Sequence, residues 1–336
     1  MLFFGRGNFR GELDAFAAAP HFLRETGDEG LPWKNFIYAG YMPEFVVFSK
    51  YHDEDAINHD FRLAGRREGG LWNCRGELHF QNESVPNIDV GRRIKQTFYT
   101  ADGSAAYQMT GKVSGGVRIL GKRAEYSGGH DSTDGRLSGY LDYQIASKTL
   151  IGIQASGGYL DTTNGSGQTY EQAVLQIKYL PGGKLSFAGQ VGGELRQYSG
   201  DLEDRTHFIF DVNSSYQATD GLLVTIDVNR TTTASAEYAG ENIVGTIYTA
   251  SIRQRLLQRY YLKLSGGYVQ NEYENNQPAV AVERQDDYYY YRASLAREVT
   301  RHGTIEIFYE HRENDSSLST FNFTSNLAGI SAAFLF

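Results

Sequence analysis

Charged and amide side chains recur in this chain at even separations: Glu194 and Arg196, Asp211 and Asn213, Asp227 and Asn229, and the trio Glu306, Glu310 and Arg312. On an extended backbone an even separation places such groups on one face. Arg118, Lys122, Arg136, Asp142, Gln190, Lys263 and Arg292 fall on the same face once their apolar neighbours are assigned to the other. A wall that carries both signs does electrostatic work without making or breaking bonds: it holds water, sets a local field and selects polar solutes by charge and size. The run Tyr288 to Tyr291 adds a second kind of contact. Alternation turns two of its four rings to the face of Arg292, where aromatic rings and hydrogen bonders together suit sugar rings.

Bond-making chemistry has less support. Hydrolysis needs a nucleophile with its base, or two carboxyl groups, held together. The eight histidines are scattered, no Gly-x-Ser-x-Gly elbow occurs, and no histidine pair has metal-ligand spacing. The expectation is a protein that is not an enzyme, with no catalytic residue and no cofactor. The acidic stretches HDEDA from His52 and HDSTDG from His130 offer oxygen ligands for Ca²⁺ or Mg²⁺, but neither completes an EF-hand loop, and both read as solvated loops without a metal. A formal charge of -8 and a pI near 5.5 argue against a nucleic-acid partner. The lone Cys74 forms no internal disulfide and reads as a small residue on a strand.

The elements that must position these residues are strands. Among 336 residues there are 38 Gly, 24 Tyr and 19 Phe but only 6 Pro, a mixture that favours strands and tight turns. No window approaches the ~18 to 20 unbroken apolar residues of a membrane-crossing helix. A barrel strand meets lipid with alternate residues only, so a mean hydropathy of -0.45 is compatible with insertion. Leu185, Phe187, Gly189, Val191 and Leu195 alternate with Ser186, Gln190, Glu194 and Arg196. The same split recurs for Phe208, Phe210 and Val212, for Val224, Ile226 and Val228, and for Ile305, Ile307 and Tyr309.

A repeat sets the order of these strands. Tyr107, Tyr143, Tyr179 and Tyr216 each open a short polar turn, at intervals of about 36 residues, the length of one hairpin and its return loop. Short turns near Thr110, Ala146, Gly182, Thr219, Leu256 and Thr300 alternate with longer polar loops after Glu125, Leu160, Tyr198 and Tyr273. The four tyrosines share the apolar parity at the short-turn end and read as a membrane-interface girdle. Tyr126, Tyr159, Tyr198 and Tyr268 are expected to form a looser girdle at the other end. The fold expected is all-β, a transmembrane up-and-down antiparallel barrel of 16 to 18 strands with short periplasmic turns and longer extracellular loops. Residues 36–336 form the barrel, and residues 1–35 supply extra strands or a plug. Met1 to Arg10 lack the pattern of an export signal, so the expectation is either a numbering that starts after one or a truncated start.

The carboxy terminus, NLAGISAAFLF, keeps Ile330, Phe334 and Phe336 at alternate positions and ends on an aromatic. It resembles the signal by which the barrel-assembly machinery recognises bacterial outer-membrane proteins. VPNIDVGRR from Val85 to Arg93, INHDFRL from Ile57, the recurrent Tyr-Gln turn and the carboxy-terminal YEHREND resemble the β-barrel porin type 2 family over roughly residues 57–336. That resemblance implies a barrel in the outer membrane of a Gram-negative cell, with some relatives linked to exopolysaccharide systems. The function expected is passive diffusion of small hydrophilic solutes, with saccharides as one class. The alternative is a structural or adhesive barrel with surface-binding loops. Expected partners are outer-membrane lipid and lipopolysaccharide, the assembly machinery and the solutes, with homo-oligomerisation left open.

Overall fold

Each strand of this chain has one apolar and one polar face, and the computed structural model satisfies both by joining the strands into one wall with lipid-compatible side chains outside. Described are residues 3–4, 35–46, 55–179, 184–199, 203–274, 284–300 and 303–334. A two-residue strand, β1 (Phe3–Phe4), precedes sixteen long ones. These are β2 (Asn35–Val46), β3 (Ala56–Gly69), β4 (Trp72–Asn87), β5 (Arg92–Gln108), β6 (Val113–Tyr126), β7 (Ser132–Ala146), β8 (Thr149–Thr162) and β9 (Gln168–Tyr179) in the first half. The second half comprises β10 (Leu185–Tyr198), β11 (Arg205–Thr219), β12 (Leu222–Ala234), β13 (Asn242–Leu257), β14 (Tyr260–Glu274), β15 (Gln285–Thr300), β16 (Gly303–Ser316) and β17 (Phe323–Phe334).

From β2 to β17 every strand is antiparallel to its successor, which is the up-and-down order expected. β1 pairs with Phe45 and Val46 of β2 and lies against β17, at the seam between the first and last long strands. Connections at one end are tight, such as Gly70–Leu71 between β3 and β4 and Asp220–Gly221 between β11 and β12. Among the described residues, the turns expected near Thr110, Ala146 and Thr219 fall within two residues of those positions. The helix or plug reading of the amino-terminal segment lies outside the described residues.

The outer face carries the apolar set. Ile119 is 62% and Leu175 63% exposed, and Leu137, Phe208, Ile226 and Ile307 share their parity. Their even-spaced neighbours turn inward. Inner tyrosines lie against glycines of the next strand: Tyr140 covers Gly116 and Tyr290 covers Gly267, each the directly opposite residue in register. A Cβ at Gly267 would stand 2.3 Å from the Tyr290 ring, so only glycine allows that close approach. Cys74 is exposed on the outer face.

At the short-turn end Tyr107, Tyr143, Tyr179 and Tyr216 stand opposite Trp72, Val113, Thr149 and Leu185 in register, and the Trp72 and Tyr107 rings are 5.0 Å apart. The upper set needs correction. Tyr159 and Tyr268 face outward, but Tyr126 and Tyr198 are buried on the inner face. Their parity is that of Arg118 on β6 and Arg196 on β10, and nearness to a loop does not override the alternation of the pleat. The outer upper tier instead includes Tyr248, Tyr268 and Tyr289, register neighbours on three strands whose rings stack at 5.9 and 4.9 Å.

An Ile119→Arg substitution places a charge midway along β6 on the lipid side. It is expected to destabilise the barrel by ~2–4 kcal/mol, read by reversible denaturant unfolding in bilayers.

Candidate functional site

The inner wall brings most of the expected polar residues into contact. Arg118 donates to Asp102 at 2.7 Å across β5 and β6. On β7, β9 and β10 a continuous chain runs from Arg136 to Gln172 (3.3 Å), from Gln172 to Glu194 (2.7 Å), and from Arg196 to both Glu194 (2.9 Å) and Gln168 (3.0 Å). Asp142 accepts from Gln176 at 2.7 Å and faces Lys178 at 3.9 Å. Gln190 donates to Asp211 at 3.4 Å, and Asn213 donates to Asp227. On β15 and β16, Arg292 joins Glu306 at 2.8 Å and Glu310 at 3.4 Å, Arg312 also pairs with Glu310, and the Arg292 guanidinium lies 3.9 Å from the Phe308 ring centre. Lys122, Asn229 and Lys263 lie on the same inner face. Register sets β7 and β9 on either side of β8 and β10 beside β9, so the chain from Arg136 spans four consecutive strands, while the Arg292 group belongs to another part of the ring.

Partnering changes what these charges can do. Glu194 and Arg196 are 1% and 2% exposed, so each neutralises the other inside the wall, and neither projects as a free charge. The Arg196 plane also lies 4.9 Å from the Tyr170 ring centre, while the Tyr170 hydroxyl donates to Asp134 at 2.6 Å. Asp211 is exposed on the inner side. Arg62 with Glu77 at 3.3 Å, and His79 with Asp60 at 3.0 Å, extend the polar wall to β3 and β4, which the spacing argument did not reach.

The loop end holds a second arrangement that sequence reasoning missed. The β4–β5 and β12–β13 connections lie eight strands apart on a sixteen-strand wall, on opposite sides of the opening. They nevertheless touch. Asp89 accepts hydrogen bonds from the Ser235 hydroxyl at 3.1 and 3.0 Å, from the Ala236 amide, and from the Glu237 amide at 3.1 Å. Arg284, at the start of β15, donates to the carbonyl oxygens of Asp89 (2.7 Å) and Ile88 (3.0 Å) and to Asp286 (3.0 Å). Its guanidinium sits 3.5 Å from the Phe321 ring centre and 4.2 Å from that of Tyr273, and its side chain has no exposed area. His130 donates its amide to Ala236 at 2.7 Å, and Gln168 donates to Gly240 at 3.4 Å. Residues 235–241 therefore bridge the mouth. Apolar groups pack beneath the bridge: Ile247, Val269 and Tyr288 with Ile88 and Phe323, and Val90, Ile94 and Tyr126 with Ala236.

Burial raises the Asp89 carboxyl above its ordinary 3.8, against the opposing pull of Arg284 and of the Glu237 and Ala236 amides. Glu237 is raised as well, by burial and then by the charge of Asp89.

The bridge is continuous with a break in the wall. β11 and β12 pair only as far as Phe210 and Arg230. Above that level β13 and the end of β14 tuck inside β9 to β11: Asn242 donates to Gln168 (3.0 Å) and to Tyr198 (2.8 Å), Tyr198 donates to Glu274 (3.1 Å), and His207 lies 3.3 Å from Glu274. Gly240 to Ile247 are buried without alternation, as two covered faces require. The ladder of the wall is therefore interrupted between β11 and β12 at this end. Of the assembly-signal residues, Ile330 lies on the outer face; the Phe334 side chain and Phe336 lie outside what is described. Of the acidic loops, the first three residues of HDEDA lie outside the described residues, whereas Asp131 of the second accepts from the Tyr126 amide at 3.0 Å.

No protein-family model and no curated protein sequence matches the chain. Solved structures do. The ferric preacinetobactin receptor BauA of Acinetobacter baumannii is similar with a TM-score of 0.50 and 10% identity, over 90% of this chain and 62% of that one. The ferric yersiniabactin uptake receptor FyuA of Yersinia pestis gives 0.41 and 9%, over 86% and 58%. The toluene transporter TodX of Pseudomonas putida gives 0.37 and 9%, over 90% and 87%. The chain spans about three fifths of the length of the two receptors. At these identities the likeness is one of fold: the chain forms an up-and-down antiparallel β-barrel, the fold of the outer-membrane receptor BauA.

Asp89→Ala removes a buried acceptor shared by three donors. Amide exchange at Ala236 and Glu237 should rise about 10- to 100-fold, measured by hydrogen-exchange mass spectrometry, with the inner-wall strands unaffected. The raised carboxyls give a sign for pH. Their charged forms weaken the bridge above the raised pKa, and that cost disappears as pH falls through it. Exchange at Ser235 to Gly240, corrected for its intrinsic pH dependence, should therefore slow as pH drops from neutral towards 3.8, the ordinary Asp value. Asp89→Asn should flatten that trend.

Proposed function

We propose that this barrel passes small hydrophilic solutes across the outer membrane by diffusion, with passage limited at the bridged loop end. The observation that carries the reading is the inner face: charged and amide groups of both signs follow one another from β3 to β16, while the opposite face is apolar. Such a lining favours polar solutes over apolar ones and attaches no chemistry to them. Saccharides are the solute class to test first. Tyr140 and Tyr290 lie against wall glycines, which leaves the other face of each ring on the inner side, with Arg292 two residues from Tyr290. The resemblance of VPNIDVGRR and its companion motifs to the β-barrel porin type 2 family points the same way.

A structural or adhesive barrel is the second reading, favoured by the bridge across the mouth. The two readings differ in conductance. Planar-bilayer recording of the folded protein should show stepwise openings, and a folded but silent barrel would favour the second.

The selectivity test belongs at Asp211 rather than at Arg196, whose charge is sealed against Glu194. Asp211→Lys should move the reversal potential in a salt gradient towards the anion value; an unchanged potential would remove Asp211 from the conduction path.

A further inference from the structure

The break between β11 and β12 leaves two strand edges without a partner strand among the described residues. Thr206–Ile209 pair with β10 alone, and Thr231–Ala234 with β13 alone. Single-sided edges are costly near a membrane, where backbone groups must find partners. Here the two edges belong to adjacent strands and are complementary. Continuing the register from Phe210 and Arg230 sets Ile209 against Thr231, Phe208 against Thr232, His207 against Thr233 and Thr206 against Ala234. Nothing in the residue types opposes that ladder, since Thr, Ile and Phe all favour strands. Parity is also preserved: Phe208 and Thr232 both take the outer side.

We infer that the upper β12–β13 hairpin with residues 235–241, together with the end of β14 that pairs Glu274 with Asn242, is a lid with a second, outward position, in which the free edges of β11 and β12 zip together and the mouth widens. The inward position is held by bonds that cross the gap, from Tyr198 and His207 to Glu274, from Asn242 to Gln168, and from Ser235 to Asp89. It gains the burial of Ile243, Val244 and Ile247 and loses four residue pairs of ladder. The outward position reverses that exchange. Arg230 marks the hinge, since it donates to Thr246 at 2.6 Å and to Glu272 at 3.1 Å at the level where pairing stops. Packed strands switch between discrete arrangements of this kind rather than deforming continuously.

The test is chemical and does not depend on conductance. In a Cys74→Ser background, Phe208→Cys with Thr232→Cys is oxidised in the folded protein in detergent micelles, beside Val212→Cys with Val228→Cys, a pair already opposed in register. The control pair should cross-link to completion. The lid pair should cross-link more slowly, and about tenfold faster when Glu274→Gln weakens the inward latch. Should Phe208→Cys prevent folding, judged by heat-modifiable migration, Thr206→Cys with Ala234→Cys reads the same register two residues further along. The inference is overturned if the lid pairs stay reduced while the control closes, or if an offset pair, Phe208→Cys with Ala234→Cys, closes as fast.

Discussion

Backbone amides and carbonyls cannot be left unpaired in hydrocarbon, and almost everything in this structure follows from that. Antiparallel ladders from β2 to β17 satisfy them. Once each strand is locked to two neighbours, the pleat allows its side chains only two directions. The apolar set takes the lipid side, so the charges of the other set are forced into a shared interior. There they can meet only one another, water or a solute. Arg136, Gln172, Glu194, Arg196 and Gln168 form a chain of contacts because β7, β9 and β10 present them on one inner face, with Gln172 directly opposite Glu194 in register.

The loop end shows what happens when a wall of fixed circumference must also be covered. Two hairpins from opposite sides lean inward and meet at Asp89, and Arg284 is fixed beneath the contact by carbonyl oxygens, a carboxylate and two aromatic rings. Leaning inward breaks the ladder between β11 and β12, and that loss is offset by apolar burial and by polar bonds across the gap. A cation buried so completely is tolerated because each of its faces is occupied by a group that favours its charge.

Much of this was legible before the fold was known, for a specific reason. A barrel strand meets lipid along its length, so the alternation of Leu185, Phe187 and Val191 with Gln190 and Glu194 is imposed residue by residue. Turn positions near Thr110, Ala146 and Thr219 followed from the Tyr repeat to within two residues. Tyr126 and Tyr198 were misplaced because they were assigned by nearness to a loop, where parity would have turned them inward. Asp89 was visible only as part of VPNIDVGRR, and Arg284 only as one residue of a long polar loop. Neither has a periodic signal, since a loop residue takes its direction from whatever it meets.

The sequence by itself determined the strand order, which face of each strand is apolar, and which residues share the interior. Periodicity encodes these because they depend on neighbours along one strand and on contact with a uniform solvent. Only the tertiary structure decided which charges neutralise each other, that Arg196 is buried while Asp211 is exposed, and that residues nearly two hundred positions apart, Asp89 and Arg284, meet at the bridge across the mouth. Those outcomes depend on curvature and on chords across the barrel, and no local pattern along the chain records how far a strand leans.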